Sequence, residues 1–95
     1  MLWGDADCGG AINLGDTIAV ARKLVDLAVN QSAGCPQLGA TVSVDGTERA
    51  WEDIDCGGSL TLGDAIGIAR FLVDLSVNQA QGCPHIADEV QVTGG

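Results

Sequence analysis

The sequence predicts a small all-α domain: two antiparallel loop-helix repeats, related by a pseudo-two-fold axis and closed by two disulfides. Three observations predict it. Residues 3–39 laid over residues 51–87 need no gap and agree at roughly 22 of 37 positions; a duplicated unit tends to pack against its copy about a two-fold axis. Each copy reads as an Asp/Gly-rich loop followed by an apolar run at helical spacing. Four cysteines occupy matched places in the two copies.

Taken in order, repeat one spans residues 3–39, a linker 40–50, repeat two 51–87 and a tail 88–95, all within a single domain, 1–95. The helices are expected over residues 14–30 and 62–78. In the first, Ile18, Ala21, Val25 and Ala28 form one apolar stripe, and Val20, Leu24 and Leu27 a neighbouring one. Gly34-Cys35-Pro36 and Gly82-Cys83-Pro84 are read as the stops, since Pro cannot continue a helix and Gly tolerates the turn. Val42-Ser43-Val44, a turn at Asp45-Gly46, and residues 88–92 alternate polar and apolar and are short extended candidates. Trp3 and Trp51, two residues ahead of each loop, are expected in the core, and His85 at the surface.

The loops carry the candidate chemistry. With Asp5 as position one of a twelve-residue loop, Asp7 is position three, Gly10 six, Ala11 seven, Asn13 nine and Asp16 twelve. The second copy supplies Asp53, Asp55, Gly58, Ser59, Thr61 and Asp64. Calcium is a hard cation that takes six to eight oxygens. Carboxylates at one, three and twelve face a common centre, and Gly at six allows the sharp turn. Ala11 and Ser59 offer backbone carbonyls, and Asn13 and Thr61 ligate directly or through water. Ile12 and Leu60, at position eight, point into the core. Position five is Gly9 or Gly57, without a side-chain oxygen, so water is expected there and the affinity is lowered. Asp at position twelve replaces the usual Glu and has a shorter reach. Two calcium ions are therefore expected.

The net charge is −9, from 13 acidic and 4 basic residues. A nucleic-acid partner needs a basic patch and is disfavoured. Six of the acids belong to the two loops. The even cysteine count in a short acidic chain points to disulfides and an oxidising compartment, and the absence of a close Cys-x-x-Cys pair disfavours zinc. The pairing expected is Cys8–Cys83 and Cys35–Cys56. A sixteen-residue helix is about 24 Å long, whereas the residues from Asn30 to Cys35 extend only about 17 Å, so a bridge inside one copy is hard to close. No signal peptide or membrane span is read, and the chain is expected to be a module of a longer secreted protein, extracellular or at a cell surface. No nucleophile-base constellation occurs, so no enzyme activity is expected.

With these loops in view, the chain resembles a type I dockerin domain. The resemblance covers nearly the whole sequence: two units of the form Asp-x-Asp-x-x-Gly-x-(Ile/Leu)-x-x-x-Asp, each followed by an apolar helix. More narrowly, it is similar to Cys-containing dockerin-like repeats with Trp-x-Asp-x-Asp-Cys and Gly-Cys-Pro signatures. The resemblance implies a non-catalytic module that docks a larger secreted protein to a cohesin-like partner. It implies partner contacts at loop positions ten and eleven, here Leu14-Gly15 and Leu62-Gly63 in place of the usual Ser-Thr. Further contacts fall on the helices at Arg22, Lys23, Arg70 and Phe71. The alternative is a calcium- and disulfide-stabilised structural module of a self-assembling extracellular protein.

Overall fold

The computed structural model describes residues 1–93; residues 94–95 of the expected tail lie outside them. The elements are α1 (Leu14–Leu24), β1 (Thr41–Val44), β2 (Thr47–Ala50), α2 (Leu62–Leu72) and β3 (Val92–Thr93). The domain is therefore mixed α/β, with two helices and a three-stranded antiparallel sheet in the order β2-β1-β3. The expected all-α class is wrong.

The sheet starts from a local signal. Asp45 and Gly46 both take left-handed backbone angles, φ 49° and 88°. Two such residues make the tight turn whose twist matches a hairpin. It pairs Val44 with Thr47 and Val42 with Arg49. Val42 and Val44 alternate inward and are buried. A lone hairpin is marginal in water, and a third strand relieves that. The tail supplies it, pairing Val92 with Val44 and Thr93 with Ser43.

Both helices begin where expected and end six residues early. At the start, Asn13 caps α1 by accepting from the Gly15 N–H, and Asp16 reaches back to the Asn13 N–H. At the end, Asp26 adopts φ 61°. The Asp26 N–H donates to the Lys23 carbonyl and the Leu27 N–H to the Arg22 carbonyl. These two bonds are the Schellman closure, normally built on Gly. Asp74 and Leu75 repeat it on Phe71 and Arg70. The Arg22 Nε then donates to the Ala28 carbonyl, and the Arg70 Nε to that of Ser76, at 2.6 Å each. These bonds pin the chain as it turns back along its own helix.

The early stop moves the buried face. Ala19 and Val20 on α1, and Ala65 and Ile68 on α2, enter the core, while Ile18, Leu24, Val25 and Leu27 are exposed. The two stripes expected for α1 thus lie largely in solvent; only Val20 among their larger members is buried. The core also holds Trp3 and Trp51, both fully buried, with ring centroids 5.9 Å apart in an edge-to-face pair.

Equivalent residues meet across the middle of the molecule. The Gly39 N–H donates to the Trp51 carbonyl, and the matched Ala87 N–H donates to that of Trp3. Likewise the Trp51 N–H donates to the Ala40 carbonyl and the Trp3 N–H to that of Asp88. Such reciprocity is what a two-fold relation produces.

Candidate metal centre

Each loop places three carboxylates around one point. Ligating oxygens of Asp5, Asp7 and Asp16 lie within 4.8 Å of one another, and so do those of Asp53, Asp55 and Asp64. Asp5, Asp16, Asp53 and Asp64 are buried, and Asp7 and Asp55 are half-buried. All six are expected ligands, and the structure brings them together as two triads that could hold metal ions.

Local backbone chemistry sets this geometry. Gly10 and Gly58 at position six have φ 102° and 108°, a region where an L side chain is strained. The Gly9 N–H donates to Asp5 Oδ1 and Asp7 Oδ1, and the Gly10 N–H to Asp5 Oδ2. Both oxygens of Asp16 accept backbone N–H bonds, Oδ1 from Asp7 at 3.3 Å and Oδ2 from Asn13 at 2.8 Å. The second loop repeats every one of these contacts. Position twelve therefore closes the loop and caps the helix with one side chain. Each carboxylate oxygen has a second lone pair for a cation. At position nine, the Asn13 side-chain oxygen sits on the helix cap. Ala11 and Ser59 are exposed, in keeping with a role for their backbone alone.

The electrostatics favour a cation. Burial lifts Asp16 and Asp64 to about 6, and the neighbouring Asp7 and Asp55 push in the same direction. Asp5 and Asp53 are also raised, chiefly by burial. Among the described residues the only ion pair joins the Met1 amino group to Glu89, so no Lys or Arg neutralises either triad. An all-carboxylate set suits a hard divalent ion and not a thiophilic one. The residues thus pass the chemical test for such an ion.

The disulfides differ from the expected pairing. Cys8 joins Cys35 and Cys56 joins Cys83, with Cα atoms 5.8 Å apart in each bridge; Cys8–Cys83 and Cys35–Cys56 do not form. The reason is the early helix end. An eleven-residue helix is only about 16 Å long, and the segment after Asp26 runs back along it. The Ser32 N–H reaches the carbonyl of Asp7, and that of Ala80 the carbonyl of Asp55. Each bridge therefore fastens loop position four to the returning chain of its own repeat. Closing a span of 27 residues is worth roughly 3–4 kcal/mol in the chain-entropy account. The bridges point to an oxidising, extracellular setting. No helix among the described residues is long and apolar enough to cross a membrane.

Two features of the site were not foreseen. The Gln31 Nε2 donates to the carbonyls of Ala6 and Pro36, and the Gln79 Nε2 to those of Ile54 and Pro84. These amides brace loop position two against the returning chain. Their signal was an identical Asn-Gln pair in both copies. The second feature is Glu52, fully buried at φ 71°, with neither carboxylate oxygen hydrogen-bonded among the described residues. Burial holds its carboxyl well above the usual range, and Asp16, Asp5 and Asp64 add to the effect. Its counterpart in repeat one is Gly4, also left-handed at φ 104°, so nothing in the repeat pattern marks a buried acid.

The expected partner residues remain on the surface. Leu14, Gly15, Lys23, Leu62, Gly63 and Phe71 are exposed, and so are Arg22 and Arg70, whose guanidinium groups hold the return turns. No protein family, curated protein or solved structure matches this chain.

Proposed function

We propose that this chain is a non-catalytic calcium-binding module that engages another protein, binding one Ca²⁺ in each loop. The observation that carries the reading is the pair of matched, buried carboxylate triads. Two independent copies of the same three-acid geometry, each opening a helix, fit a hard cation that takes oxygen ligands. The intra-repeat disulfides support a clamp rather than a signal. They tie each loop to its returning chain, which opposes the wide helix opening on which a calcium sensor depends.

The apolar side chains left outside support an interaction role. Leu14, Ile18 and Val25 are 61%, 49% and 66% exposed, and their counterparts Leu62, Ile66 and Val73 are 61%, 49% and 65% exposed. Matched apolar residues on both helices are a surface a partner could bury. With the resemblance of the loops to dockerins, we read this as docking of a larger secreted protein to a cohesin-like domain. The same paired faces suit the alternative of a structural module that associates with its own copies.

Calorimetric titration tests the metal. The wild type is expected to take up two calcium ions, and Asp5→Ala and Asp53→Ala one each. Retention of both sites in either variant overturns the assignment. Capture of secreted proteins in calcium and in chelator tests docking, and light scattering of the pure module tests self-association.

A further inference from the structure

The chain has four basic side chains, and they divide by job. Arg22 and Arg70 hold the two return turns through identical bonds. The remaining two, Lys23 and Arg49, line one cavity; the Arg49 Nη2 also donates to the Gly82 carbonyl at 3.2 Å, and its Nε is buried with no hydrogen-bond partner among the described residues. That cavity, about 620 Å³, lies between the end of α1, strand β2 and the second metal loop, where Asp53, Ser59 and Leu60 border it. The corresponding place beside the first metal loop is about 320 Å³ and is bordered by Asp5, Gly10 and Glu89. No Lys or Arg side chain lines it, and in the sequence Phe71 replaces Lys23 in the second repeat. In a protein of net charge −9, the two cations not used by the return turns meet at one end of an otherwise two-fold molecule. Neither is in an ion pair among the described residues.

The cavity also follows a free strand edge. Strand β2 pairs only with β1 and forms one side of the sheet. Outside that pairing, no backbone hydrogen bond joins Thr47, Glu48 or Arg49 to any described residue. Successive strand residues point to opposite faces. A cavity lined by Glu48, Arg49 and Ala50 in succession, and by Thr41, the β1 partner of Ala50, therefore borders the edge of β2 and the open end of the hairpin. An open edge is a template for an added strand.

We propose that this groove receives an extended acidic segment of a partner protein, which adds as a strand along β2 and places a carboxylate between Lys23 and Arg49. Backbone pairing supplies the docking, and the two cations select an acidic side chain over a neutral one. Asp53 couples the groove to the metal. Calcium in the second triad would offset two of its three carboxylate charges, so the groove is more attractive to an acid in the loaded protein than in the metal-free one. That coupling rests on the calcium reading above; the groove and the strand edge do not.

The test uses the ¹⁵N-labelled protein and the capped peptide acetyl-Val-Glu-Val-Glu-Val-amide, with its Gln-for-Glu analogue as control. Calcium uptake is measured first, by calorimetry. Its absence overturns the metal reading, whereas calcium uptake with no peptide response overturns this inference alone. The expected result is saturable shift of the amides of residues 47–50 and of Lys23, at least about five-fold weaker in chelator. The Gln peptide and the Lys23→Glu variant, its fold checked by amide dispersion, are expected to lose a similar factor. No saturable shift at millimolar peptide, equal response to both peptides, or shifts confined to Leu14, Ile18, Leu62 and Ile66 overturns it.

Discussion

Asp16 and Asp64 each serve three ends: they close a loop, cap a helix and complete a carboxylate triad that could hold a metal ion. Both have folded pKa values near 6, above the ordinary 3.8, because they are buried among other acids. For an acid whose folded pKa is raised, the folded state holds the proton more tightly than the unfolded chain. Its contribution to stability is therefore present below about pH 4 and is lost as the pH rises to about 6. Glu52, pushed the same way by burial, adds to this trend. The metal-free protein is expected to lose thermal stability between about pH 4 and pH 6.5, and calcium to abolish the loss by replacing the protons. Thermal unfolding in chelator and in calcium across that range checks it. A metal-free profile that rises with pH would show that the carboxylates are compensated elsewhere. The six loop acids were legible in the sequence because ligand spacing is a local property of twelve residues. Glu52 was not, because its burial depends on how the two repeats meet.

At the scale of elements, what could be read depended on how far apart the deciding residues lie. The helix starts were legible: each twelve-residue loop ends at Asp16 or Asp64, where the apolar run at helical spacing begins. The helix ends were not. The stop is an Asp in a left-handed conformation, at Asp26 and Asp74, whereas the eye goes to the Gly-Cys-Pro farther on. The six residues decide the bridges. A helix to residue 30 places Cys35 out of reach of Cys8 and favours bridges between repeats, whereas the stop at Asp26 lets each bridge close inside its own repeat. The position offers a direct check. Asp26→Gly places the residue best suited to φ 61° at the C′ position and is expected to stabilise the domain by about 0.5 kcal/mol in denaturant titration. A loss of more than about 1 kcal/mol would mean that the Asp26 side chain has a role beyond the turn. The hairpin signal, Val42-Ser43-Val44 followed by Asp45-Gly46, was visible too. The third strand that turns a marginal hairpin into a sheet comes from residues 92–93, and no window of local sequence contains both.

For the whole molecule, the decisive fact is which bonds stay inside a repeat and which cross between repeats. The disulfides and the carboxylate triads are internal to each copy. The tryptophan pair and the bonds from Gly39 to Trp51 and from Ala87 to Trp3 cross between copies, and the other two reciprocal bonds tie each tryptophan to the residue just past the opposite copy. A peptide of residues 1–39 keeps its loop, its ligands and its bridge but loses the partner of Trp3 and any second layer to bury its core. It falls below the size at which a core sustains itself. Such a peptide is expected to lack a cooperative thermal transition even when oxidised and in calcium, while the full chain unfolds in one step. A sigmoidal transition in the isolated half, followed by circular dichroism, would show that the repeats are autonomous.

The internal bridges also decide how the domain responds to being pulled. Each disulfide removes a stretch of 27 residues from the extensible path, so more than half of the chain cannot lengthen. Stretched from its ends, the oxidised domain should reach a contour of only about 150 Å, against more than about 300 Å for the reduced chain at roughly 3.5 Å per residue. A force probe would peel apart the pairing of β3 with β1, the bridge between Leu2 and Glu89 and the crossing bonds of the tryptophans. Both carboxylate loops would stay locked behind their sulfur bonds. A domain of this design yields a short length under load and keeps its two halves ready to snap together again when the load is released.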